Sequence, residues 1–110
     1  MVEKELLYRS SLFEGMSPDV LDDIAAACEP ISIAAGEYVY KKDTPGDYFY
    51  LVLSGEVELI ARRDEKSTCM IGRIGEGGHF GESALLTGKT RSLSVRAVSD
   101  VLLGRFSSSL

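Results

Sequence analysis

Two hydrophobic periodicities divide the chain. Val20, Leu21, Ile24, Ala25 and Cys28 recur at intervals of three and four, which puts them on one face of a helix. Ser17-Pro18-Asp19 supplies its start: a hydroxyl cap, a proline in the first turn and an acid near the positive end of the dipole. Pro30 closes the run, and Leu6, Leu7, Leu12 and Phe13 make a loosely amphipathic opening, so residues 1–30 read as a mostly helical segment. After Pro30 the period drops to two. Ile31 and Ile33, then Tyr38 and Tyr40, alternate with small or polar residues around an Ala35-Gly36-Glu37 turn. Residues 48–53 form an aromatic and aliphatic strand, Ser54-Gly55 a tight turn and residues 56–62 an alternating strand, a pair that reads as a hairpin. Residues 62–67 read as a solvated charged loop, and residues 68–74, 92–98 and 101–106 as further strands. Many short strands separated by turns specify a mainly β, antiparallel sandwich or barrel over residues 31–110, after one helical segment.

Composition narrows the function. The chain has 110 residues, enough for one modest core, and 17 acidic against 12 basic residues, a net charge of −5. That balance argues against a nucleic-acid surface, though not against one phosphate in a local pocket. No apolar run reaches bilayer length and the N-terminus carries no signal-peptide pattern, so a cytoplasmic location is expected. Cys28 and Cys69 lie in different elements without metal-ligand spacing and read as free, buried thiols. His79 is the single histidine, which leaves neither a cupin-type metal cluster nor a Ser/His/Asp set; no enzyme, metal or cofactor is expected.

The chemistry concentrates in residues 75–97, GEGGHFGESALLTGKTRSLSVRA. Gly75, Gly77 and Gly78 read as turn punctuation. If residues 83–86 make one helical turn after Gly81, their free amides point outward as an anion cradle. Arg91 follows with a planar cation suited to two phosphate oxygens, and the Glu82 carboxylate can accept from a sugar hydroxyl. Taken singly, Glu82 reads as a helix-start acid and Arg91 as a surface cation. Together, at this spacing, they describe a nucleotide site. No strand–helix–strand unit surrounds the glycines, so a Rossmann reading fails.

Phe80-Gly81-Glu82-Ser83-Ala84-Leu85-Leu86 followed by Arg91-Ser92-Leu93-Ser94-Val95 resembles the phosphate-binding cassette of cyclic nucleotide-binding domains. Pro45-Gly46-Asp47-Tyr48 through Ser54-Gly55-Glu56-Val57 is similar to the family's first signature, and Gly75-Glu76-Gly77-Gly78-His79 is most like kinase regulatory subunits. The resemblance implies an eight-stranded, jelly-roll-like β-roll with a short helix beginning near Glu82, preceded by a helical segment. It implies a regulatory module that takes a cyclic mononucleotide, cyclic AMP in preference to cyclic GMP, and rearranges flanking helices. Glu82 would hold the ribose 2′-hydroxyl and Arg91 the cyclic phosphate. Amides around Ser83, Ala84 and Ser92, beside Gly81, would complete the phosphate shell. Asp47 would stand behind Arg91. Ser83 departs from a common leucine and Leu93 from a usual alanine. The family's lid helices would begin about where the sequence stops at Leu110, so an output domain or partner chain would supply the lid, and an oligomer is compatible with this. The alternative is a β-roll that keeps the fold as an interaction or assembly part without nucleotide.

Overall fold

The computed structural model describes residues 2–81 and 88–107. Its helical segment comprises α1 (Lys4–Leu7), a 3-10 turn (Ser11–Phe13) and α2 (Pro18–Ala27). The Ser17 hydroxyl accepts from the Val20 amide, with Pro18 in the first turn, as its sequence dictates. Leu21 and Ala25, one turn apart, are buried, whereas Val20 falls outside the apolar face and is 45% exposed. Eight strands follow among the described residues: β1 (Glu29–Ile33), β2 (Tyr38–Tyr40), β3 (Tyr48–Ser54), β4 (Val57–Arg62), β5 (Thr68–Ile74), β6 (His79–Phe80), β7 (Ser94–Ala97) and β8 (Val101–Ser107). They form two antiparallel four-stranded sheets, ordered β1-β8-β3-β6 and β2-β7-β4-β5. This is the expected mainly β roll. β1 begins before Pro30, which an edge strand tolerates because its missing N–H faces away from the ladder.

The expected hairpin of residues 48–53 with 56–62 does not form. β3 pairs with β8 and β6, while β4 pairs with β5 and β7, so Ser54-Gly55 carries the chain from one sheet to the other. The reason lies in β3's composition. Leu51 and Leu53 face the helices together with Leu7, Phe13, Leu21 and Phe106, and Tyr50 and Val52 face the second sheet with Val57, Val95 and Leu103. A strand apolar on both faces needs cover on both, which makes the β3–β8 sheet the middle of three layers. The hairpin is instead β4–β5, where the Asp64 carboxylate accepts from the amides of Lys66 and Ser67 at 2.8 and 2.9 Å to close the charged loop.

The helices approach the middle layer closely. A Cβ on Gly104 of β8 would lie 2.4 Å from the Cys28 sulfur. Burial pushes the Cys28 thiol up to about 11, so it stays protonated at neutral pH and serves as a packing group. Cys69 is only half-buried, on β5, and both thiols are free. Arg9 also donates to the Leu53 carbonyl at 2.6 Å and pairs with Glu76 at 3.2 Å. Gly104→Ala is expected to destabilise by about 1–3 kcal/mol through overpacking. The double variant with Cys28→Ala should recover part of that loss, because the two sites are in contact. Denaturant unfolding of the four proteins measures the coupling; additive losses would show that this contact does not set the helix–sheet distance.

Candidate functional site

A register change in β2 sets up the site. Tyr38 lies opposite Arg96 of β7, but Tyr40 lies opposite Val95, not Ser94, so β2 carries one extra residue. Such a bulge turns the following side chain to the other face. The reading of Tyr38 and Tyr40 as alternate positions on one face is therefore corrected. Tyr38 stays outside against Arg96, and Tyr40 turns inward beside Val95 and Tyr50. Tyr40, Tyr50 and Phe80 then form an aromatic floor with ring centroids 5.2–6.0 Å apart. Burial pushes the Tyr50 phenol up, partly offset by the guanidiniums of Arg105 and Arg91, and keeps it neutral.

Arg91 lies on this floor, only 3% exposed, with Cζ 4.1 Å from the Tyr40 ring centre. Nη1 donates to the Gly81 carbonyl at 2.6 Å and Nη2 to the Tyr48 carbonyl at 2.5 Å. Its main chain is clamped as well. The Arg91 amide donates to the Thr44 carbonyl and its carbonyl accepts from the Asp43 amide, both at 2.8 Å. Gly81 adopts φ +91°, and a Cβ there would fall 2.9 Å from Arg91 Nη1, so the glycine both makes the bend and leaves room for the guanidinium.

Among the described residues Arg91 meets no carboxylate, and its buried Nε has no hydrogen-bond partner. Burying a cation costs several kcal/mol after relaxation. Two charge-assisted bonds return about 1.5–3 kcal/mol each, and the ring about 0.5–2 kcal/mol. The gains roughly balance the penalty without a surplus, and Nε stays unsatisfied. Arg105 makes the useful contrast. Its Nε is also buried and unpaired and its Cζ lies 4.2 Å from the Tyr48 ring centre, yet its Nη2 donates to the Glu29 carboxylate at 2.6 Å. Among the described residues, then, the half-buried Arg105 pairs with a carboxylate and the buried Arg91 does not. A buried, pre-oriented guanidinium with an unpaired N–H is suited to receive an anion.

The structure thus brings Gly81 and Arg91 together. Asp47 is exposed, and no hydrogen bond or ion pair joins it to Arg91; the carbonyls of Tyr48 and Gly81 take the guanidinium instead. Ser92 is exposed beside Arg91, and Leu93 is half-buried ahead of β7, which starts at Ser94 instead of residue 92. Glu82, Ser83 and Ala84, with the short helix expected near Glu82, lie outside the described residues. Sequence reasoning took Tyr40 for an ordinary strand residue, and only the bulge shows its role. The main-chain acceptors carried no signal at all.

Gly81→Ala tests the confinement of Arg91. Gly36 has a similar φ of +86°, and a Cβ there would meet nothing within 4 Å, so Gly36→Ala incurs backbone strain alone. That strain is about 1–2 kcal/mol. Gly81→Ala should lose at least about 1 kcal/mol more in denaturant unfolding, from the added clash. Equal losses would mean that the guanidinium is not held against Gly81.

Comparison with known proteins places these features. Residues 30–109 match the model of a family described as the cyclic nucleotide-binding domain. The chain is 39% identical over 94 residues to a cAMP-dependent protein kinase regulatory subunit of Emericella nidulans, covering 86% of this chain and 22% of that protein. A second such subunit, from Blastocladiella emersonii, is 32% identical over 92 residues, covering 84% of this chain and 23% of its own length. The chain therefore spans less than a quarter of these curated relatives. Among solved structures, the Thermus thermophilus catabolite activator protein superposes with a TM-score of 0.85 at 29% identity, covering 91% of this chain and 47% of that one. A Trypanosoma brucei protein, described as the regulatory subunit of a cAMP-independent protein kinase A, superposes at 0.88 with 21% identity, over 94% of this chain and 38% of that one, which shows the shared fold.

Proposed function

The chain belongs to the cyclic nucleotide-binding domain family, and from that premise we propose that it binds a cyclic purine mononucleotide with Arg91 on the cyclic phosphate. The observation that supports this is the buried Arg91 guanidinium, turned by two carbonyls and a tyrosine ring but left with an unpaired Nε and no carboxylate among the described residues. A phosphate supplies the missing acceptor and the missing charge together. In this reading Glu82 accepts from the ribose 2′-hydroxyl, and amides of Ser83, Ala84 and Ser92 reach the phosphate past Gly81. Asp47 contributes as the residue preceding the Tyr48 carbonyl that holds Nη2.

Regulation follows from differential binding, since a ligand shifts an equilibrium only by contacts that differ between the two states. The Tyr48 carbonyl that orients Arg91 belongs to β3, and Leu51 and Leu53 of the same strand carry the helical segment. Occupancy at Arg91 and the placement of flanking helices, including a lid from an output domain or partner chain, are coupled through that shared strand. The domain acts in the cytoplasm and performs no chemical step itself. The second reading, a roll without nucleotide, draws on the fold shared with the subunit described as cAMP-independent. Calorimetry separates the two.

Cyclic AMP should bind the unaltered chain more tightly than cyclic GMP, by a modest factor. Ser92 can accept from a guanine amine, but adenine loses little when that hydroxyl turns elsewhere. Arg91→Ala should weaken binding by about thirty-fold or more, the equivalent of the roughly 2 kcal/mol lower bound for truncating a desolvated charge contact. Ser92→Thr should shift preference toward cyclic GMP. Unchanged affinity in Arg91→Ala would remove the guanidinium from the mechanism, and absence of binding by the unaltered chain would favour the second reading.

A further inference from the structure

The outer face of the β2-β7-β4-β5 sheet carries a second concentration of positive charge. A cavity of about 300 Å³ opens there beside the β2 bulge, rimmed by Lys41, Lys42 and Arg62. Ile60, only 6% exposed although it faces away from the core between the sheets, lines the cavity together with Tyr38. The hydroxyl residues Thr68 and Ser94 line it too, and Ser94 Oγ already accepts from the Lys42 amide at 2.9 Å. One carboxylate shares the rim: Asp43, paired with Lys42 Nζ at 3.0 Å. The neighbouring Glu58 is taken by Arg96. Among the described residues, Lys41 Nζ meets only the Tyr38 ring, at 5.1 Å, and Arg62 has neither an ion pair nor a hydrogen bond from its side chain. Three cations against one acid, in a chain of net charge −5, make this a local field of opposite sign to the whole.

The same turn holds the nucleotide-site arginine. Asp43 donates its amide to the Arg91 carbonyl, Thr44 accepts from the Arg91 amide, and Asp43 keeps a left-handed φ of 71° to do so. Left-handed backbone at a non-glycine residue persists only where its surroundings hold it. The cavity rim and the Arg91 main chain are thus one hydrogen-bonded unit, approached from opposite faces of the sheet.

We propose that this cavity is a second anion site, which takes a compact phosphate-bearing anion of two or more negative charges on Lys41, Lys42 and Arg62, and that its occupancy is coupled to Arg91 through the residue 41–44 turn. The anion draws Lys42 away from Asp43, uses the hydroxyls of Thr68 and Ser94, and shifts the turn whose amide and carbonyl position Arg91. Coupling between two sites is reciprocal, so a nucleotide at Arg91 changes anion affinity by the same factor. The anion site itself does not rest on the nucleotide reading; the coupling does.

Pyrophosphate is the probe, titrated into the chain by calorimetry and by amide NMR at constant ionic strength, with sulfate as a parallel arm. Saturable binding that survives Arg91→Ala is expected, one anion per chain in that variant, with shifts centred on residues 38–44 and 60–68. Lys41→Gln combined with Arg62→Gln should weaken it by about tenfold, as the loss of two exposed charge contacts implies, while Arg91→Ala leaves it intact. Absence of saturable binding at millimolar pyrophosphate, equal binding by the double variant, or loss in Arg91→Ala alone would overturn the site. Equal binding of sulfate would overturn its preference for a phosphate-bearing anion. Pyrophosphate should also change cyclic AMP affinity at least about twofold in the unaltered chain and not in the double variant. An unchanged cyclic AMP affinity with the anion site filled would overturn the coupling, and failure of cyclic AMP to bind at all would instead strike the nucleotide reading while leaving the pyrophosphate arm to stand.

Discussion

A single buried cation organises this fold's working end. Arg91 lies inside the protein without a carboxylate among the described residues, on one ring and two carbonyls. Three of the contacts that hold it demand something unusual of the backbone. The ring requires a bulge that turns Tyr40 inward; the Gly81 carbonyl requires a left-handed φ; the main-chain clamp requires Asp43 in the same region. Three irregularities converge on one arginine. Irregular backbone that surrounding structure over-determines is the usual mark of a functional site. Here the stability balance explains why, since Arg91 gains about as much as its burial costs.

The layered architecture gives that site something to act on. The β3–β8 sheet is covered by helices on one face and by the second sheet on the other, and β3 serves both cores. Gly104 lets Cys28 approach β8, and Arg9 anchors the helical segment to the carbonyl of Leu53. The helices are therefore fastened at two points to the sheet whose Tyr48 carbonyl orients Arg91. A displacement at the guanidinium meets close-packed side chains with few voids to absorb it, which favours transmission to the helices over local relaxation.

Much of this was legible in the linear chain, for local reasons. Ser17-Pro18-Asp19 starts α2 because capping depends on a few neighbouring residues, and period-two alternation announces strands because successive side chains point to opposite faces. The glycines around Phe80 and the spacing to Arg91 marked the anion site, because that chemistry needs bare backbone and a planar cation close together in the chain.

Other features depend on partners distant along the chain and carry no local mark. Residues 48–53 look like one arm of a hairpin, but a strand apolar on both faces pairs where both can be covered, and β8, about fifty residues on, supplies that place. The β2 bulge is an offset against β7 and has no sign in Tyr38-Val39-Tyr40 itself. Asp47 is the residue type that a sequence reader sets behind an arginine, yet main-chain carbonyls, present at every position and so invisible as a pattern, do the holding. Which elements form, and which residue carries the charge, could be read from the linear chain because both follow from local propensity and chemistry. Which face each residue occupies, and which carbonyls and ring hold Arg91, emerged only on folding, because register and burial are set by contacts between segments.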